Sequence, residues 1–97
     1  MGAILMLPQR LDALAAQRLL ADLLERRGQP LSLDASSVET ISALALEVVV
    51  SAGLQWQCDQ KPICIIAVSE GYQSACGTLG LNAYQPWLSA VEQPSGV

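Results

Sequence analysis

Apolar positions along the chain fall into two patterns, short continuous runs and longer stretches with helical spacing. Three short runs are GAILML (2–7), PLSLDA (30–35) and PICIIAV (62–68). The first is stopped by Pro8, and the other two open on a proline. Runs of this length, bounded by proline and polar residues, predict three buried strands.

The first longer stretch, LDALAAQRLLADLLERRG (11–28), predicts a helix. Asp12 can cap its N-terminus, because a side-chain oxygen there accepts hydrogen bonds from free backbone amides. Arg26 and Arg27 are expected in the last turn, where the helix dipole favours cations, and Gly28 is expected to end the helix. The apolar face is predicted to comprise Ala16, Leu19, Leu20, Leu23 and Leu24.

Two further helices are predicted, at 42–57 and at 69–81. Three consecutive valines favour a strand locally in the first of these, but its length and its apolar spacing outweigh them. In the second, Ser69 is the expected N-cap and Gly80 marks the end. The predicted buried faces are Ala45, Val48, Val49, Ala52 and Trp56 in one helix, and Tyr72, Cys76 and Leu79 in the other.

The predicted order β-α-β-α-β-α indicates an α/β domain with right-handed crossovers. We expect a mostly parallel central sheet of about four strands with three or more helices. Residues 1–97 form one domain, without an internal repeat or a linker. The tail after the third helix is expected to add a short strand or turn with Tyr84, Trp87 and Leu88, and residues 93–97 to be a frayed end.

Composition adds an expectation about the surface. The chain is 52% hydrophobic and only 14% charged, whereas soluble domains average about 25% charged residues. So few charges leave some apolar surface exposed, which favours a protein partner or a homodimer. Trp56 and Trp87 are accordingly interpreted as core residues or dimer anchors.

The net charge of −4, with only five Lys and Arg residues, argues against nucleic-acid and anionic-membrane binding. No apolar run reaches the roughly 18 residues of a membrane span, and the N-terminal run is too short for a signal peptide. A cytoplasmic protein is expected.

The three cysteines, Cys58, Cys64 and Cys76, are odd in number and widely spaced. We therefore expect free thiols, buried or partly buried, and no metal site.

The sequence contains little that would support a catalytic function. The chain has no histidine, which removes the usual general base and the commonest metal ligand. It has no glycine-rich phosphate loop, and its nine acidic residues are scattered without an evident catalytic pair. We expect neither an enzyme nor a cofactor. A small-molecule or nucleotide binder would need a polar pocket, and no motif for one is present.

The stretch DASSVETISALALEV (34–48) joins the second strand to the second helix through small polar residues. The order of motifs in this stretch is that of a known family. It begins with residues 34–36 (DAS), continues with the aliphatic Val38 and Ile41, and ends with residues 42–46 (SALAL). With the later LGL (79–81), the chain resembles the STAS domain of sulphate transporters and anti-sigma-factor antagonists. The family pattern at these places is Asp-Leu-Ser, two aliphatic positions, and Asp-Ser-Ser-Gly-Leu. The resemblance spans nearly the whole chain and implies the same α/β fold.

The departures from that pattern concern the family's phosphorylation switch. The phosphoacceptor serine of the antagonists corresponds to Ala43 or Leu44, and neither residue has a hydroxyl. Ser42 replaces the family aspartate and is primarily interpreted as a helix N-cap; it is the remaining candidate phosphoacceptor at this junction. The hydroxyls of Ser36, Ser37 and Thr40 are weaker alternatives.

The resemblance implies a protein-interaction module of bacterial signalling. Its partner would be a kinase-like anti-sigma factor or a chemotaxis-type regulator, bound without phosphorylation at the usual serine. An alternative is an accessory STAS subunit of a lipid-transport ABC complex. The second helix would contribute its exposed side to docking. The predicted partner-binding residues are Ser36, Ser37, Glu39, Thr40, Ser42, Ala43 and Leu44.

Overall fold

A computed structural model describes residues 3–87 as five strands and three helices. In chain order these are β1 (Ala3–Met6), β2 (Arg10–Leu11), α1 (Ala13–Glu25), β3 (Leu31–Ala35), β4 (Thr40–Ile41), α2 (Ala43–Cys58), β5 (Ile63–Val68) and α3 (Glu70–Thr78). The α/β class and the three helices agree with the sequence analysis. The predicted end at 93–97 and the role of Leu88 lie outside the described residues.

The strands form two parallel sheets. In the larger one β3 lies between β1 and β5, with Leu33 opposite Leu5 on one side and Ile65 on the other. A bulge then shifts the register, so that Asp34 pairs with Ala67. The smaller sheet pairs β2 with β4. The expected sheet of about four strands is therefore three strands plus a separate pair, because two-residue strands leave no periodic signal in the sequence.

One face of the three-stranded sheet is buried and the other is open. Leu31, Leu33 and Ile65 point into a single core that also contains the buried residues of all three helices. The alternating side chains of β1, β3 and β5 point the other way. They form what we call the open sheet face, which is not covered by any element within residues 3–87: Ile4, Met6, Ser32, Asp34, Cys64 and Ile66.

Helix α1 begins at the predicted N-cap, since the Asp12 carboxylate accepts from the backbone N–H of Ala15 at 2.9 Å. Its end differs from the prediction. The helix stops at Glu25, Arg26 is the C-cap, and both arginines therefore lie beyond the last helical residue. Gly28 adopts a φ of 92°, in the left-handed region that favours glycine, and turns the chain towards β3.

Three predicted core positions are in fact exposed. Leu20 and Leu24 of α1 and Leu79 after α3 have about half or more of their surface accessible. The wide apolar stripe of α1 exceeds the area that its neighbours cover, so only the centre of the stripe is buried. Helix α3 ends at Thr78, three residues before the predicted limit, and the chain turns at Gly80 with φ 72°.

The tryptophans and one of the cysteines belong to the core. The indole of Trp56 is buried and donates from Nε1 to the carbonyl oxygen of Gln29 at 2.8 Å. Trp87 packs its ring directly on Gly53 of α2. Cys76 is buried, but Cys58 and Cys64 are exposed, which corrects the expectation of buried or partly buried thiols. Within residues 3–87, no helix combines the length and hydropathy that crossing a bilayer requires.

Candidate interaction surface

The 36–44 segment leaves the carboxyl end of β3 through a compact turn. One carboxylate oxygen of Asp34, Oδ1, accepts from the backbone N–H of Ser36 at 2.9 Å and from its hydroxyl at 2.6 Å. These two bonds, the hydroxyl first, lower the pKa of the Asp34 carboxyl from its usual value. Asp34 and Ser36 thus fix the start of the segment, and Val38 within it turns its side chain into the core.

The middle of the segment is held by the small sheet. The carbonyl oxygen of Gln9 accepts from the backbone N–H groups of Glu39, at 2.7 Å, and Thr40, at 3.2 Å. The Gln9 side chain donates in turn to the Glu39 carboxylate. The Ser42 N–H donates to the Leu11 carbonyl at 2.9 Å, which closes the pairing of β4 with β2.

The end of the segment is the first turn of α2. The Ser42 hydroxyl accepts from the backbone N–H of Ala45 at 3.1 Å, so Ser42 is the N-cap of α2. The next two side chains point outward, and Leu44 keeps 48% of its surface exposed. An apolar side chain is therefore displayed in the first turn of α2, at the end of a segment whose backbone is fixed at both ends.

Helix α3 supports the segment from the other side. Its N-cap, Ser69, donates its hydroxyl to the carbonyl oxygen of Val38 and accepts from the backbone N–H of Tyr72 at 3.1 Å. Gly71 lies so close to the segment that a Cβ there would collide with the carbonyl oxygen of Glu39. This contact is a physical reason for glycine at that position.

A polar cleft opens between the segment and the start of α3, at the carboxyl ends of β3 and β5. Its lining carries two carboxylates and no lysine or arginine, so it would repel a phosphate or another anion. Among the described residues no cluster of three His, Cys, Asp or Glu could hold a metal ion. The lining residues are Gln9, Ser36, Ser37, Val38, Glu39, Ser69, Glu70 and Gly71.

The structure does not bring the seven predicted site residues together in a single pocket. Ser36, Ser37 and Glu39 line the polar cleft, whereas Thr40 and Ser42 lead along β4 to α2. Ala43 borders a second depression, between α2 and the residues after α3. Leu44 is exposed on the first turn of α2.

Two residues that line the cleft, Gln9 with an amide and Glu70 with a carboxylate, were not among the predicted site residues. The predicted N-cap at Ser69 was the signal that could have placed Glu70 there, because the carboxyl ends of parallel strands share one edge. Gln9 offered no such signal. No protein-family model matches the chain, and comparison with curated proteins and with solved structures gave no match either.

Proposed function

We propose that this chain is a non-enzymatic protein-interaction module of bacterial signalling that resembles the STAS-type antagonists. The 36–44 segment and the exposed side of α2 dock on a kinase-like anti-sigma factor or a chemotaxis-type regulator in the cytoplasm. The observation that carries the proposal is the exposed Leu44 at the end of a hydrogen-bonded segment of polar residues. A buried apolar contact surrounded by polar groups is the usual make-up of a protein interface.

The rigidity of the 36–44 segment supports this role. Backbone bonds from Gln9 and Leu11, the turn at Asp34 and the contact with α3 hold it from several directions. A segment that is already ordered loses less conformational entropy when a partner binds. The same bonds also suit recognition of one fixed shape.

The proposed interaction does not depend on phosphorylation at the position where the antagonists carry it. Ala43 and Leu44 have no hydroxyl, and the half-buried hydroxyl of Ser42 is engaged as the cap of α2. A phosphate on Ser42 would add about −1.5 to −2 charges at the start of α2 and would alter the cap. Partner exchange would therefore be governed by competition and concentration.

The test is an affinity capture from cells that express the protein, with wild-type, Leu44→Asp and Leu24→Asp baits read by mass spectrometry. Leu24 is a matched control, because it is at least as exposed as Leu44. It lies near the C-terminal end of α1, outside the 36–44 segment. A charge introduced at the centre of an interface typically weakens binding by 2 kcal/mol or more, about 30-fold. We expect Leu44→Asp to lose a kinase-like or anti-sigma partner that Leu24→Asp retains.

Two other outcomes would change the proposal. An identical list of partners for all three baits would place the functional surface elsewhere on the molecule. A transporter ATPase lost selectively by Leu44→Asp would instead favour the accessory subunit of a lipid-transport ABC complex. Circular dichroism of each bait shows whether a loss of binding reflects a loss of fold.

A further inference from the structure

The open sheet face has no cover within the described part of the chain. Ile4 and Met6 of β1 keep 65% and 62% of their surface exposed, and Ile66 of β5 keeps 49%. Cys64 is also exposed on β5, and its Sγ lies 3.4 Å from the Ser32 hydroxyl of the central strand. These residues are on the opposite side of the sheet from the core and do not belong to the 36–44 segment.

Such a face is unusual for this kind of sheet. Strands that are all parallel occur almost entirely in proteins in which both faces of the sheet are covered. Here β1, β3 and β5 are all parallel, yet within residues 3–87 only one face packs on helices. An exposed group of large apolar side chains commonly marks a place where another surface binds.

We infer that the open sheet face is a self-association surface on which a second copy of this chain packs, with the strands of the two copies antiparallel. Two sheets that pack face to face lie about 10 Å apart, a distance that side chains of this size fill. The pairing is isologous, so the same patch must be complementary to itself.

The positions of the polar groups favour the antiparallel arrangement. Ile4 pairs with Ser32 along one row of the face, and Met6 pairs with Asp34 along the next. A two-fold axis across the strands places each Ser32 opposite the second copy's Asp34 and each Ile4 opposite the second copy's Met6. Both bonds that Asp34 accepts go to Oδ1, which leaves Oδ2 for a hydroxyl. With parallel strands the two Asp34 carboxylates would instead face each other and repel.

The size of the face limits the strength of the dimer. Three strands about 4.8 Å apart, with four to six residues at about 3.3 Å each, present on the order of 300 Å² per copy. Stable interfaces bury roughly 800 Å² per partner. We therefore expect a weak dimer with a Kd on the order of 100 µM, populated only at high protein concentration.

The experiment is sedimentation equilibrium of the whole chain from about 10 µM to 1 mM, for wild type, Ile4→Lys, Ile66→Lys and Leu24→Lys. A lysine at Ile4 or Ile66 would bring an ammonium group into the packed face of the dimer, and the desolvation of that charge should raise the Kd at least about tenfold. Leu24→Lys introduces the same charge at a comparably exposed leucine on α1 and should leave the Kd unchanged.

Two native cysteines give an independent measurement on the unmodified protein. Cys64 lies on the open sheet face, whereas Cys58 is exposed at the end of α2. The alkylation rate of Cys64 relative to Cys58 should fall at least about threefold across the same concentration range, following the dimer fraction.

Three results would overturn the inference. One is a protein that stays monomeric at 1 mM. This result includes the case in which another part of the chain covers Cys64 and protects it equally at every concentration. Another is a dimer that persists with unchanged Kd in folded Ile4→Lys and Ile66→Lys. The third is a dimer that only Leu24→Lys weakens, which would move the contact to the apolar groove that Leu20 and Leu24 of α1 form with Val48 of α2. None of these results bears on partner capture through Leu44.

Discussion

Ser42 shows how one hydroxyl is committed to the local structure. Its oxygen accepts from the Ala45 N–H, while its own N–H donates to the Leu11 carbonyl. Removal of the cap leaves an unpaired amide at the start of α2, so Ser42→Ala should lower the free energy of unfolding by about 1 kcal/mol. Urea denaturation measures this change, and the exposed Ser37→Ala should stay within about 0.5 kcal/mol of wild type. Equal effects of the two substitutions would contradict the capping role.

The hydroxyl of Tyr72, unlike that of Ser42, takes no part in a hydrogen bond among residues 3–87. The side chain is fully buried, and its oxygen has no hydrogen-bond partner among the described residues. Burial raises the pKa of Tyr72, and repulsion between the phenolate and a neighbouring Cys76 thiolate raises it further. Tyr72→Phe removes an unsatisfied polar atom and keeps the ring, so the free energy of unfolding should rise by about 1 kcal/mol. A decrease on thermal or urea denaturation would show that the hydroxyl has a partner in solution.

At the scale of elements, the contact between α3 and the 36–44 segment depends on a missing side chain. A Cβ at Gly71 would collide with the carbonyl oxygen of Glu39, which belongs to backbone that hydrogen bonds hold in place. Gly71→Ala should therefore cost about 1–3 kcal/mol of stability. The control is Gly77→Ala in the same helix, where nothing lies within 4 Å of the added methyl and the effect should be neutral or stabilising by up to about 1 kcal/mol. Chemical denaturation of both variants checks the difference, and similar values for the two would mean that the segment yields freely.

Helices α1 and α2 are joined at their C-terminal ends by an ion pair. Nε of Arg27 donates to Oδ2 of Asp59 at 2.9 Å, and Nη2 donates to Oδ1 at 3.3 Å. The hydrogen bonds from Arg27 lower the pKa of the Asp59 carboxyl more than its partial desolvation raises it. Because the folded pKa is lower than the unfolded one, this pair contributes stability above the unfolded pKa of about 3.9. The contribution is lost as the pH falls through the folded pKa.

Arg27→Gln should therefore raise the pKa of Asp59 towards about 3.9 and flatten the acid side of the stability curve between about pH 5 and 2. An NMR titration of the Asp59 carboxyl carbon, together with urea denaturation at each pH, measures both effects. Arg18→Gln is the control, since Arg18 forms no salt bridge within residues 3–87. An unchanged pKa of Asp59 in Arg27→Gln would show that the pair is open in solution.

At the scale of the whole molecule, Trp87 ties the end of the described chain to the core. Its buried ring lies on Gly53, far away in sequence, in the middle of α2. Trp87→Ala should cost about 3–5 kcal/mol, a large part of the roughly 5–15 kcal/mol that stabilises a domain of this size. The melting temperature should fall by about 4–8 °C for each kcal/mol. Tyr84→Ala, at a half-exposed aromatic in the same stretch, should cost far less, and equal losses would contradict the core role of Trp87.

Local signals determined much of this protein. Apolar runs located the three main strands, and the three N-caps at Asp12, Ser42 and Ser69 are where their residue types predicted them. These features depend on contacts within a few residues, which is why the sequence expresses them directly. The segment with the predicted site residues was recognisable for the same reason, as a polar connection between a strand and a helix.

Tertiary structure alone decided the rest, because those features depend on residues that are distant along the chain. The pairing of Arg10–Leu11 with Thr40–Ile41, the polar cleft with Gln9 and Glu70, and the bulge at Leu33 and Asp34 arise from such approaches. Which apolar side chains stay exposed to solvent was likewise decided by the tertiary structure. Two leucines of α1, Leu20 and Leu24, and three residues of the open sheet face, Ile4, Met6 and Ile66, are as apolar as the core residues. Only the area available on neighbouring elements left them outside.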